Sequence, residues 1–272
     1  MPIDLLTSPH WKSEHLGLPM PDSPHAVSVA LPSWEHNIKY EEGDAHVVNR
    51  LQAAYPRFCL HPYVRRLCHD VFGAQNAGLI FPSTAAAQRA VDYVVWRGGR
   101  SARLVEIADQ TACGVAIELD EFARLREYWQ HAGEVLTSRA AELILHGQAV
   151  KSTQTAARET VRRRLREFRT DPHAEIWLYP CGMAAIAAVW RALRQHDPSH
   201  PSVQFGFPYV DTLKLQQRFA PADVRFYPVG DPADLQQLAE LLRTQKIASV
   251  FCESTTNPLL TSLDLQSLRQ LA

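Results

Sequence analysis

The sequence predicts an α/β protein: a mainly parallel sheet with flanking helices, preceded by an α/β N-terminal region. Three observations predict it. From about residue 175, apolar runs of strand length alternate with helical patterns, the mark of βαβ units with right-handed crossovers. Three stretches in this half, at 176–186, 205–214 and 251–260, each close an apolar run with polar and turn-forming residues, and in a parallel sheet such loops gather at the carboxyl ends of the strands, where ligands bind. The 272 residues are 46% hydrophobic and 21% charged, enough apolar content for one large domain or two modest ones.

Residues 1–44 carry Pro19, Pro21, Pro24 and Pro32 and read as an extended arm wrapped over a neighbouring surface, or as a disordered one. Helices are expected at about 61–72 and 83–97, the second with Ser83 as its N-cap. Ala77–Phe81, Ala102–Glu106 and Cys113–Ile117 read as strands. A helix is expected over about 119–131, broken at Gly133 and resumed near Arg139. Residues 151–169 are periodic and rich in arginine (Arg158, Arg162, Arg163, Arg164, Arg166, Arg169), but Glu159 and Glu167 interrupt the charge, so the segment reads as a solvated helix rather than a nucleic-acid surface. The pattern then becomes regular: strand 176–179, helix 184–195, strand 202–206, helix 211–219, strand 223–227, helix 231–244, strand 247–252 and a helix from near Asp264. The expected division is 1–150, an N-terminal extension with an α/β region, and 151–272, the βαβ domain. The chain stops inside its last helix, which reads as a truncated unit, or as a fold closed by a docked helix.

The formal net charge of −1 implies no nucleic-acid or anionic membrane partner. No apolar run has the length of a bilayer span, and Met1-Pro-Ile-Asp-Leu5 is not a secretory leader. The five cysteines (Cys59, Cys68, Cys113, Cys181, Cys252) show no CxxC spacing and read as reduced thiols of a cytoplasmic protein. The twelve histidines show no metal-ligand spacing, so no metal is expected. No GxGxxG follows a strand, which disfavours a dinucleotide-binding fold.

The most informative stretch is Ile176-Trp-Leu-Tyr-Pro-Cys-Gly-Met-Ala-Ala-Ile186, read as strand, tight turn and helix N-terminus. The free N–H groups and partial positive charge of such a terminus suit a phosphate, and Gly182 lets an anion approach the backbone. A glycine at such a turn also serves packing alone. Cys181 at the same terminus reads as a small packed residue or, with its thiolate stabilised there, as a nucleophile. His131 reads as a satisfied interior or interface residue, Asp211 as a helix cap, and Glu253 as an acceptor of backbone hydrogen bonds in its loop.

Together these loops resemble the Cys/Met-metabolism family of pyridoxal-phosphate enzymes, nearest the fungal-type cystathionine γ-synthases. Tyr179-Pro-Cys-Gly-Met-Ala-Ala-Ile186 is similar to the family's Tyr-Pro-Ser-Gly-Met-Ala-Ala-Ile loop. Phe205-Gly-Phe-Pro-Tyr-Val-Asp-Thr-Leu-Lys214 resembles the fungal version of the segment holding the ring-stacking tyrosine, and Glu253-Ser-Thr-Thr-Asn-Pro-Leu-Leu260 the family's Glu-x-x-x-Asn-Pro-Leu-Leu. Tyr55-Pro-Arg-Phe58 with His61-Pro62, and Trp129-Gln-His-Ala-Gly-Glu134 with Ser138-Arg139, also look like fungal-branch motifs.

The resemblance implies an incomplete fold type I (aspartate-aminotransferase-like) domain with pyridoxal phosphate as cofactor. It implies that the backbone N–H groups of Gly182 and Met183 hold the phosphate, with Cys181 where the family has a serine. Tyr209 would stack on the ring and move a proton near the substrate amine, as the catalytic residue and a cofactor contact. Asn257 would meet the ring hydroxyl and the substrate carboxylate. Arg139 would reach the phosphate of a partner subunit, with Arg57 as the lesser candidate and Thr137 standing where the family has a tyrosine. The implied activity is a carbon–sulfur lyase or transferase reaction of transsulfuration and methionine biosynthesis: γ-replacement on an activated homoserine ester by cysteine. The alternatives are a γ- or β-lyase, an acylhomoserine sulfhydrylase, or a non-catalytic remnant binding a phosphate ligand or a partner. The family's Schiff-base lysine and pyridinium-binding aspartate follow the Asn-Pro loop, and none of Lys12, Lys39, Lys151, Lys214 and Lys246 matches that lysine, so this stretch alone is expected to be inactive. Expected partners are an amino-acid substrate and further copies of the chain.

Overall fold

The computed structural model describes residues 4, 6–53, 59–73, 77–107, 112–148, 154–168, 171–220, 223–257 and 259–271. The elements run β1 (Pro19–Met20), β2 (Ser28–Val29), α1 (Trp34–Glu41), α2 (Ala45–Val48), α3 (Pro62–Phe72), β3 (Ala77–Phe81), α4 (Thr84–Trp96), β4 (Arg103–Glu106), β5 (Cys113–Ile117), α5 (Phe122–Ala132), α6 (Ser138–Leu145) and α7 (Gln154–Arg166). They continue with α8 (Gly182–His196), β6 (Ser202–Phe205), α9 (Val210–Arg218), β7 (Val224–Tyr227), α10 (Pro232–Thr244), β8 (Ser249–Cys252) and α11 (Leu265–Leu271). The chain divides into two compact units, Met1–Gln130 with Glu134–Ala174, and His131–Gly133 with Glu175–Ala272.

In the first unit the larger sheet is antiparallel, in the order β3-β5-β4. Ala77 pairs with Ile117 and Phe81 with Cys113, while Arg103 pairs with Ala116. The central strand β5 is buried along its whole length. Helix α3 begins with Pro62 in its first turn, where a missing N–H costs nothing, and ends on Phe72. The Phe72 ring lies flat against the sheet because Gly78 has no side chain: a Cβ there would stand 2.7 Å from the ring. Val64, Leu67, Phe72, Ile80, Ile107, Ala116 and Ala141 form the core. Helix α4 is capped by Ser83, whose hydroxyl accepts from the N–H of Ala86 at 3.2 Å, and buries Ala86, Ala87, Ala90 and Val94. The 1–44 segment joins this unit through a small cluster of Ala26 and Val29 with Leu51 and Ala53. Helix α7 is polar, and Arg166 donates to Glu159 at 2.7 Å.

The second unit contains a parallel sheet in the order β7-β6-β8, with Ser202 opposite both Val224 and Ser249. Alternate residues of the buried strand β6 serve its two faces. Val203 and Phe205 join Leu238, Leu263 and Leu268 on the side of α10 and α11. On the other side, Ser202 and Gln204 hydrogen-bond to Gln216 of α9 at 2.9 and 2.8 Å. All three of these polar residues are buried, so each bond satisfies groups that water cannot reach. Helices thus cover both faces of a parallel sheet, as the strand–helix alternation predicts.

One predicted strand is absent. Residues 176–179 have no strand structure, and Trp177 is 69% exposed. Their alternating apolar pattern satisfies a strand's local preference, but a strand is completed by a ladder with another segment, which a local pattern does not fix.

Candidate functional site

The Cys181-Gly182 turn opens α8. Cys181 is the N-cap residue and its side chain makes no cap hydrogen bond. It instead donates its thiol to the carbonyl of Gly133 at 3.4 Å. The N–H of Ala185 reaches the Cys181 carbonyl, whereas the N–H groups of Gly182, Met183 and Ala184 have no acceptor among the described residues. A Cβ on Gly182 would meet nothing within 4 Å. Space is open at Gly182, the arrangement that accommodates an anion, whereas the nitrogen of the buried Ala184 is covered by Gly133.

Tyr209 is the N-cap residue of α9, at the carboxyl end of β6. It packs with Cys181, Met183, Ala187, Trp190, Leu215 and Phe251 in one apolar cluster. Within that cluster the indole N–H of Trp190 is buried without a hydrogen-bond partner among the described residues. The backbone N–H of Tyr209 donates to the Glu253 carboxylate at 2.7 Å. Glu253 follows β8 and holds the backbone of another loop, at Tyr209, rather than its own as its sequence setting suggests. Two of the three predicted loops thus meet in one cluster, and the third is joined to them through Glu253. That third loop folds around the buried Thr256, whose hydroxyl lies 2.6 Å from that of Thr261. Asn257 is exposed there, and its amide makes no hydrogen bond among the described residues. Pro258 of the same motif lies outside the described residues.

Arg139 is an exposed residue of α6 in the first unit. Thr137 caps that helix, accepting from the N–H of Ala140 at 3.2 Å. Arg57 and the Tyr55–Phe58 motif lie outside the described residues, as do Lys151 and Arg169. Asp211 does not cap α9. It sits in the first turn, where a negative charge suits the helix dipole, and its Oδ1 lies 3.1 Å from Nδ1 of His131. Both side chains are almost wholly buried. Sequence reasoning placed His131 indoors but missed its partner, which is 80 residues away and carries no local signal.

The first unit holds a cavity of about 760 Å³, lined by residues that include Tyr40, Cys59, Arg65, Phe122, Arg126 and Trp129. None of the predicted site residues among the described ones lines it. Burial pushes the Cys59 thiol up, against the pull of Arg126 and Arg65. Among the described residues, no cluster of histidine, cysteine and carboxylate side chains is placed to hold a metal ion, and no helix is long and apolar enough to cross a membrane.

No family model matches the sequence, and no solved structure matches it. It is similar to the cystathionine gamma-synthase of Neurospora crassa, 27% identical over 94% of this chain and 63% of that protein. It is 30% identical to the cystathionine gamma-synthase-like protein ankD of Aspergillus thermomutatus, over 96% of this chain and 56% of that protein. It is 31% identical to an L-2-amino-4-chloropent-4-enoate dechlorinase/desaturase of Streptantibioticus cattleyicolor, over 93% of this chain and 53% of that protein. The chain thus spans less than two thirds of the length of the curated relatives it matches.

Proposed function

We propose, for a chain that belongs to the cystathionine γ-synthase family, that its second unit supplies the phosphate- and ring-binding part of a pyridoxal-phosphate site. The observation that carries this reading is the uncapped N-terminus of α8 opening beside the cluster that contains Tyr209. The residues fit the group. The uncapped N–H groups of Gly182 and Met183 and the positive end of a helix suit the phosphate, and a half-buried tyrosine offers a face for the ring.

Pyridoxal phosphate, when bound, supplies an electron sink for reactions at the substrate's carbon skeleton. This chain's part is to bind and orient. The N–H groups of Gly182 and Met183 would donate to the phosphate, and the side-chain hydroxyl usual in the family is replaced by the Cys181 thiol, which is already engaged with Gly133. Tyr209 lies against one ring face, and its phenol serves as the group that moves a proton near the substrate amine. Glu253 holds the Tyr209 backbone, and Asn257 orients the ring hydroxyl and the substrate carboxylate. Arg139 of a second copy reaches the phosphate. The reaction we assign to the whole enzyme is γ-replacement, in which the sulfur of cysteine bonds to Cγ of an activated homoserine ester as the Cγ–O bond breaks, releasing the activating acid and giving cystathionine. The similarity to a dechlorinase/desaturase favours, as a second reading, a different reaction of the same cofactor.

The test is equilibrium dialysis of the purified 272-residue chain against pyridoxal phosphate, followed by an assay for cystathionine from cysteine and acylhomoserines. Wild type is expected to retain the cofactor at about micromolar concentration, and Gly182→Val, which fills the open space, and Tyr209→Ala to weaken retention about tenfold each. No retention by wild type, or retention indifferent to both substitutions, overturns the reading. Retention with products other than cystathionine moves the assignment to the second reading.

A further inference from the structure

His131, Ala132 and Gly133 count with the second unit, although the residues on either side of them count with the first. The tripeptide touches both loops of the site. At one end, Gly133 adopts a φ of +68°, and a Cβ there would stand 2.6 Å from the backbone nitrogen of Ala184 and 2.9 Å from Cβ of Met183. Its carbonyl accepts from the Cys181 thiol. Gly133 is therefore seated directly against the first turn of α8, and only glycine combines that φ with so close an approach. At the other end, Nδ1 of His131 donates to Asp211 at 3.1 Å, in the first turn of α9 and two residues beyond Tyr209. The imidazole also stands edge-on to Phe219, with ring centres 6.4 Å apart. Ala132 between them is buried.

Burying a histidine and an aspartate together costs desolvation that their attraction offsets only in good geometry, and the best-attested use of such a pair is to fix register. The register at stake is that of α9 against α8. The Gln216 network fixes the body of α9 on β6, and His131 fixes its first turn.

We propose that His131 is a positioning residue for the cofactor: through Asp211 it holds Tyr209 at a set distance from the α8 N-terminus, so that ring and phosphate are gripped together. The inference rests on the pyridoxal-phosphate reading of this site. It predicts a defect in coupling the two grips rather than in either alone.

The experiment compares the affinity of the full chain for pyridoxal phosphate with its affinity for inorganic phosphate, measured by competition, in wild type, His131→Ala and His131→Asn. Asparagine presents an N–H near the position of the lost Nδ1. His131→Ala is expected to weaken pyridoxal phosphate about tenfold, to leave inorganic phosphate within about twofold, and His131→Asn to restore most of the loss. Should His131→Ala not fold, Asp211→Leu, which removes the acceptor at similar volume, carries the same comparison, with the same selective loss expected. Equal loss for both ligands, no loss for pyridoxal phosphate, or no rescue by asparagine overturns the inference and leaves the proposed function standing. A wild-type chain that holds no pyridoxal phosphate overturns both.

Discussion

Glu121 receives more hydrogen bonds than any sequence pattern announces. Its carboxylate accepts from the backbone N–H groups of Arg100 and Ser101 at 3.0 Å and from the Ser101 hydroxyl at 2.7 Å. The Ser101 hydroxyl first, then the two N–H groups, favour the ionised form, and they hold the carboxyl at about 2 against an ordinary 4.5. A carboxyl depressed by folding stabilises the fold above its unfolded value, and that contribution drains away as pH falls toward the folded one. The expected outcome is that wild type exceeds Glu121→Gln in urea midpoint at pH 7, and that the gap closes between pH 4.5 and about 2. A gap that stays constant across that window contradicts the account. Cys68 shows the opposite physics: burial pushes its thiol up to about 12. Neither environment was legible from the residue alone, because each is made by groups distant in sequence. The place of Cys181 at a helix start was legible, whereas the partner of Glu253, Tyr209 of another loop, was not.

At the scale of elements, local punctuation was a dependable guide. Ser83 caps α4 and Gly133 ends the helix before it, and the helices and strands from 202 onward fall within a few residues of their expected bounds. Such signals act within one turn of helix or a few residues of strand. Strand 176–179 failed because its pattern asks for a partner the pattern itself does not provide. Gly133 joins local and non-local roles, ending α5 while also seating against α8. Gly133→Ala is expected to cost about 1–3 kcal/mol, through the positive φ and the contact with Ala184. Urea unfolding followed by tryptophan fluorescence measures it, and a cost within experimental error of zero means that α8 moves freely away from residue 133.

For the whole molecule, two compact units are joined in part by a stretch, 171–180, without helix or strand. Phe168 and Trp177 are 82% and 69% exposed there and just before it. Exposed irregular backbone is where proteases cut first, so brief chymotrypsin digestion is expected to cleave after Phe168 or Trp177 before any site in β6, β7 or β8. Mass spectrometry of the first products decides it, and early cuts within the parallel sheet contradict it. The sequence by itself determined the α/β class and the order of most elements from residue 61 onward, because apolar periodicity, caps and turn residues act over short distances. Only the tertiary structure decided that the first sheet is antiparallel with β5 at its centre, that His131 meets Asp211, and that the α8 terminus opens beside Tyr209. Those outcomes depend on which distant surfaces bury one another, and no single segment encodes that choice.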